Sequence, residues 1–405
     1  MFIKASSQNV ANLEKFASEL SHAISIRDGK KVNSLLFNCN LGKPDLLAAT
    51  PQLLSKLSVL KWPQYDFVSD YILFLRSRAV AHNQIAALEM LVTFIKKLTL
   101  SYSLETNDWL HPLFTHMLSF IRKFAYQLDK DSGGDKWRKK LVEVFRELFP
   151  SLHKERSRLS GTCWLICQLL SLYISLDQVK LCAHILAALS QSLAKEGGFQ
   201  PLSVPKSVAV TLYFYWGKYH VLEGKHSEAK VKLMWALQHC PKEISQSNRR
   251  RIAEYLIPCI IASGSVPKPS LMEESSTSHF IGLANAIRQG DIQAYNSLVN
   301  EHMLTLARSG TLILVEKCKL ICYRNLAKRV YCIMKQFNPA DPAKLDLSVM
   351  EVAWKLGENA TKDEMICALA DLIYAGAMKG YIALEHGKLV LSKINPFPRI
   401  EDALC

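Results

Sequence analysis

The sequence predicts a mainly α fold: a right-handed, tetratricopeptide-like helical repeat that ends in a winged helix with a small β-hairpin wing. Three observations predict it. Apolar residues recur at helical spacing from the N-terminus to about residue 340, and alternating strand patterns are absent there. The breaks between these segments are short and consist of Pro, Gly and polar residues, so consecutive helices pack as antiparallel pairs. After Pro342 the order changes to short strand, helix, helix and hairpin, the order of a winged helix.

The periodic segments place helices at about 10–24, 65–80, 85–100, 110–128, 136–148, 160–175, 179–194, 207–223, 227–240, 249–261, 280–288 and 292–306. Glu196-Gly197-Gly198 and two prolines break the pattern before residue 207 and mark a module boundary, whereas 264–278 reads as an exposed Ser/Pro loop. The predicted modules are an N-terminal repeat over 1–204, a helical part over 205–308 and a winged-helix part over 309–400. Tyr213, Gly217, Ala229, Leu233, Ala236 and Pro241 occupy the aromatic, small and terminating positions of a tetratricopeptide hairpin. A second hairpin turns at Gly290-Asp291. In the winged helix, 344–347 reads as a strand and 348–356 as a helix. A longer helix over 363–377 is introduced by a capping box of Thr361 and Glu364. Strands at 381–384 and 389–391 are joined across Gly387.

Of 405 residues, 49% are hydrophobic and 21% charged, the balance of a globular protein with a sizeable core. Lys and Arg outnumber Asp and Glu by 50 to 36, a formal charge of +14 that favours acidic or polyanionic partners. The excess is spread out, at +5 for 1–130, +6 for 131–302 and +3 for 303–405, so no segment is a basic tail. The eleven cysteines are irregularly spaced, and Cys163, Cys167, Cys182, Cys318 and Cys322 sit in apolar helical patterns, the pattern of buried thiols in a reducing compartment. The N-terminus lacks a signal-peptide core and no apolar run reaches a membrane span, which predicts an intracellular, soluble chain. On that expectation the glycosylation triplet Asn359-Ala360-Thr361 goes unused.

Phosphate-loop, dinucleotide, zinc-protease and nucleophile-elbow motifs are all absent. His111 with His116, and His220 with His226, lack carboxylate or Cys neighbours at metal-ligand spacing and read as core or solvated histidines. The expectation is a protein without enzymatic activity, metal or cofactor.

Positive charge gathers in three places. Lys136-Trp137-Arg138-Lys139-Lys140, followed by Lys154 to Arg158, opens two helices against their dipoles, either as a solvated face or for a partner. Arg249-Arg250-Arg251 point different ways, and at least one is expected to pair with carboxylates of the preceding hairpin. If 312–335 is one helix, Lys317, Arg324, Lys328 and Lys335 fall on one line opposite Leu320, Tyr323, Leu326, Val330 and Ile333. Such a stripe fits a phosphate backbone and fits an ordinary amphipathic surface equally well. In the helix over 363–377, the expected apolar face is Ile366, Leu369, Ala370, Ile373 and Ala377. Asp363 and Glu364 at its start would repel phosphates, and no outward Arg, Asn or Gln is left for base edges, which argues against sequence-specific DNA reading. Lys379, Lys388 and Lys393 remain for contacts to a nucleic-acid backbone.

Four stretches carry a family resemblance: 213–220 (Tyr-Phe-Tyr-Trp-Gly-Lys-Tyr-His), 248–258 (from Asn248 to Pro258), 323–330 (from Tyr323 to Val330), and Lys379-Gly380-Tyr381-Ile382 with 389–393. Together they resemble the PCI family of the proteasome lid, the signalosome and translation initiation factor three. Within it they look like the branch of the nuclear transcription-coupled mRNA export subunit and its signalosome-associated relative. The resemblance covers about 205–400. It implies a non-enzymatic scaffold that pairs through its winged helix with a larger PCI-like subunit, beside a small, acidic, disordered subunit shared with the proteasome lid. It further implies a sequence-independent platform for RNA and possibly DNA, and a nuclear protein at nuclear pores with a cytoplasmic share. Lys379, Lys388 and Lys393, then Arg324, Lys328 and Lys317, are the expected nucleic-acid contacts. A protein-only scaffold of signalosome or proteasome-lid type is the alternative.

Overall fold

The computed structural model describes residues 7–38, 55, 64–80, 84–105, 107–153, 158–194, 203–243, 245–274, 277–337, 343–357 and 361–400. The break at Glu196-Gly197-Gly198, the basic residues Lys154 and Arg156, and Asn359-Ala360 of the glycosylation triplet lie outside the described residues. The chain forms two compact units, residues 1–212 and 213–405.

In the first unit the predicted periodicity yields the helices Ser7–Ser25, Gln64–Val80, Gln84–Leu104, His111–Ser132, Lys136–His153, Leu159–Ser175 and Val179–Ala194. The helix Gly29–Asn38 is not among the predicted ones, because its ten residues carry a short apolar pattern: Val32 and Leu36 are buried, and Phe37 stacks on His116. The cluster Lys136 to Lys140 resolves into internal pairings. The buried Asp129 carboxylate accepts the backbone N–H groups of Trp137 (2.8 Å) and Arg138 (2.9 Å) and the Arg138 Nε–H (2.9 Å). It thereby satisfies orphan donors at the helix start and offsets the unfavourable charge there. Lys139 pairs with Asp135 and Lys140 with Glu89, while Trp137 is buried. This is a stapled helix start, and three of its basic residues already have acidic partners.

From Tyr213 on, the helix Lys206–Leu222 belongs to the second unit and forms a hairpin with His226–His239, where a Cβ on Gly217 would stand 2.6 Å from Leu233 Cγ. Glycine at 217 is therefore what lets the two helices approach this closely. Arg249, at the start of Gln246–Ala262, is buried and donates from Nη1 to the carbonyls of Leu237 (3.0 Å) and Cys240 (2.9 Å). These are carbonyls that end the preceding helix; Arg250 takes a carboxylate, that of Glu254 one turn on in its own helix rather than one of the preceding hairpin. Within the segment read as a loop lies one further helix, Pro269–Glu274.

Next come His279–Gln289 and Ile292–Ser309, reversing at Gly290, with Asp291 Oδ1 accepting the Ala294 N–H at 2.9 Å. The expected single helix over 312–335 is two, Leu312–Lys317 and Lys319–Phe337. The break falls at Cys318, which is buried and directs its thiol to the carbonyls of Leu314 (3.4 Å) and Pro258 (3.8 Å). β1 (Lys344–Asp346), the helices Leu347–Lys355 and Lys362–Tyr374, β2 (Gly380–Ala383) and β3 (Lys388–Leu391) complete the winged helix. The sheet is antiparallel in the order β1-β3-β2, so the strand read at 344 pairs with the distal strand of the wing. One core, from Ala253 to Ile400, is shared by the helical part and the winged helix. Among the described residues no helix is long and apolar enough to cross a membrane.

His279 and His302 face each other in this unit, ring centroids 5.5 Å apart. Burial, then His302 and Arg250, push the His279 pKa down to about 4. The unfolded chain takes up this proton near pH 6.5, so between the two values the unfolded state binds more protons. Stability is full above pH 6.5 and is lost as pH falls toward 4. Thermal unfolding from pH 7 to 4.5 should show a decline that His279→Gln reduces by about 1 kcal/mol after allowance for solvent screening; an unchanged slope would remove His279 as its source.

Candidate nucleic-acid and partner interface

The winged helix rests on its caps and on one buried cation. Thr361 Oγ1 accepts the Glu364 N–H (3.3 Å) while Glu364 Oε2 accepts the Thr361 N–H (2.7 Å), the reciprocal capping box read from the sequence. The helix it starts buries Met365, Leu369 and Leu372 and exposes Ala370, so its inner face is turned from the one expected. Asp363 and Glu364 are exposed at its start, and Asp371 is exposed further along.

Arg324 departs most from expectation. It is 7% exposed, in the buried stripe Ile321, Cys322, Arg324, Ala327 and Val330, while Ile333, expected inside, is exposed. Its Nε–H donates to the carbonyl of Ala377 (3.1 Å), its Nη2 to those of Phe397 (3.3 Å) and Pro398 (2.5 Å), and its Nη1 to Asn325 Oδ1 (3.2 Å). A guanidinium engaged in this way has no face left for a phosphate. Arg324 therefore leaves the candidate set, because two distant chain segments need its donors more than solvent does.

The remaining candidates separate into groups. Lys379 and Lys393 are exposed and come together, since the Ser392 N–H donates to the Lys379 carbonyl at 2.8 Å and the Lys379 N–H to Pro396 at 2.8 Å. The Lys379 backbone is fixed by these two bonds, and both lysine side chains are exposed. Lys388 opens β3 opposite Asp346, whose Oδ1 lies 3.6 Å from its Nζ, so part of its field is neutralised. Lys328 and Lys335 are exposed along Lys319–Phe337. Lys317 lies on the preceding helix, off that line. The four-residue stripe thus reduces to two lysines.

Sequence reasoning missed Lys344. In β1 the pattern is exposed, buried, exposed, and Lys344 stands across from Val390, which stands across from Tyr381. Lys344, Tyr381 and Lys388 accordingly share the outer face of the sheet. The two-residue alternation Lys-Leu-Asp was the signal available for it.

The same module exposes large apolar side chains. Tyr374 is 95% exposed and Ile394 85%, with Val352, Leu356, Tyr381 and Leu384 also outward. These six exposed apolar side chains all belong to one small module. Among the described residues no group of three or more His, Cys, Asp or Glu is placed to hold a metal ion.

No family model matches the chain. It is similar to PCI domain-containing protein 2 of Xenopus laevis, 28% identical over 95% of this chain and 97% of that protein. It is 30% identical to Enhanced ethylene response protein 5 of Arabidopsis thaliana, over 69% of this chain and 68% of that protein. It is 32% identical to the Protein CSN12 homolog of Gibberella zeae, over 60% of this chain and 56% of that protein.

Proposed function

The chain belongs to the PCI-domain family, and from that premise we propose that it is a non-enzymatic scaffold subunit of a nuclear mRNA export complex. Its winged helix pairs with a larger PCI-like scaffold through exposed apolar residues and contributes lysines to a sequence-independent surface for RNA. The small acidic subunit is the second protein partner, and the protein acts in the nucleus, at nuclear pores.

The observation that carries this reading is the division of the winged helix into an acidic helix start and an exposed lysine pair, Lys379 and Lys393. Such a module repels phosphate where a groove-reading helix would enter and attracts it beside the wing. Contact is then to the backbone, without base discrimination.

The test is a salt titration of RNA binding by the chain co-expressed with its scaffold partner. Each phosphate neutralised on a single strand contributes about 0.7 to the slope of log affinity against log salt. Lys379→Glu with Lys393→Glu should lower that slope by about 1 to 2 and weaken binding more than tenfold at low salt, with pairing retained. RNA affinity at background for the native pair would sink the export-platform reading. The likeness to the Protein CSN12 homolog favours a second reading, a protein-only scaffold of signalosome type, and that outcome would leave it standing.

A further inference from the structure

A second basic feature of residues 213–405 lies away from the wing. The turn at Gly224, the start of His226–His239, and the junction of Leu312–Lys317 with Lys319–Phe337 enclose a cleft of about 490 Å³. His226, Glu316, Lys317, Lys319 and Tyr323 line it, above an apolar floor that includes Leu320 and Ile321.

Four details give the cleft its chemistry. Lys317 Nζ lies 3.8 Å from the point where a Cβ on Gly224 would stand, so the absent side chain leaves the mouth open beside an ammonium group. Lys319 Nζ sits 5.4 Å from the centroid of the Tyr323 ring, which holds the second ammonium at the cleft wall. His226 Nδ1 is buried without a hydrogen-bond partner. A buried polar atom in that state is costly until an acceptor or donor reaches it. Burial first, and then the Lys317 ammonium, hold His226 below the usual imidazole range. Glu316 is the one carboxylate among the described lining residues, and with His226 neutral the charged groups sum to +1.

We propose that this cleft binds a phosphate ester anion, with Lys317 and Lys319 as its cationic arms and His226 Nδ1 as a third contact. Two ammonium groups and an imidazole around a concavity of this size suit one phosphoryl group with an attached sugar, and Tyr323 offers a ring edge to what the phosphate carries. The phosphate can come from a free nucleotide or from the backbone of a single-stranded RNA; only the second source rests on the function proposed above.

The test uses the full chain with two probes, uridine 5′-monophosphate and a twelve-nucleotide oligouridylate, followed by calorimetry and by the imidazole signals of His226. Binding of either probe should shift the His226 signals, and Lys317→Gln with Lys319→Gln should weaken it at least tenfold without changing the thermal midpoint. Binding of the mononucleotide identifies a free ligand, and binding of the oligonucleotide alone identifies RNA. The proposal is overturned if neither probe moves His226, or if the double variant binds as the native chain does. Oligouridylate binding that depends on Lys379 and Lys393 but not on Lys317 and Lys319 overturns the cleft and leaves the wing platform intact; the opposite pattern sinks the platform alone.

Discussion

Arg324→Ala is expected to lower stability by about 3–5 kcal/mol, the range for breaking a buried charged network from one side. The guanidinium donates to the carbonyls of Ala377, Phe397 and Pro398, on two segments that flank the wing. Truncation leaves all three acceptors without this donor, and each buried, unsatisfied carbonyl costs about 1–3 kcal/mol. The void adds a packing loss against Phe397, whose ring lies 5.8 Å from the guanidinium carbon. A fall of about 10 °C in the midpoint of thermal unfolding is the expected readout. Proteolysis should open first at the segment after β3, because Arg324 is one of its ties, beside the backbone bonds that join Lys379 to Ser392 and Pro396. Arg324→Lys should recover little of the loss, since one ammonium group cannot reproduce a planar fork that serves several carbonyls. A midpoint within about 2 °C of the native chain would show that the carbonyls find other donors.

That residue also explains why the fold was more legible than the site. Helical spacing of apolar residues is a local property, and it placed most helices within a few residues because burial of one face decides helix formation. The Thr361–Glu364 capping box was readable for the same reason, as its four residues are contiguous. Arg324 was not readable: a charged residue at helical spacing from Lys328 reads as exposed, and its partners lie 53 to 74 positions further along the chain. The break at Cys318 belongs to the same class, since its thiol reaches back to Pro258, 60 residues earlier. Without that break Lys317 would have stayed on the lysine line. Instead it stands across from His226, a juxtaposition no spacing rule contains. For the helix Lys362–Tyr374 the period was right and the phase was wrong, because Met365 and Leu372 were as available to the core as Ile366 and Ala370, and the surrounding elements made the choice.

Gly290→Ala is expected to be nearly as damaging, and a control makes it informative. The residue ends His279–Gln289 with φ at +69°, where any side chain is strained by roughly 1–2 kcal/mol. Strain is the smaller part. A Cβ there would stand 2.4 Å from the backbone nitrogen of Leu326 and 2.8 Å from its Cα, and a helix backbone cannot yield as a side chain can. Around this crossing Asn325 Nδ2 donates to the Ile287 carbonyl at 2.8 Å and Arg329 Nη1 to that of Gln289 at 2.6 Å, closing acceptors at the helix end. Moving the helices apart to admit a methyl group would lengthen both bonds, so the expected loss is about 3 kcal/mol or more. Gly133 separates the two causes: its φ is +70°, yet nothing lies within 4 Å of its would-be Cβ. Gly133→Ala should therefore cost only the strain, about 1 kcal/mol. Equal losses for the two variants would mean that the close crossing contributes nothing. A larger loss at Gly290 would show that this contact fixes Lys319–Phe337, and with it the outward placement of Lys328, against the helical part of the domain.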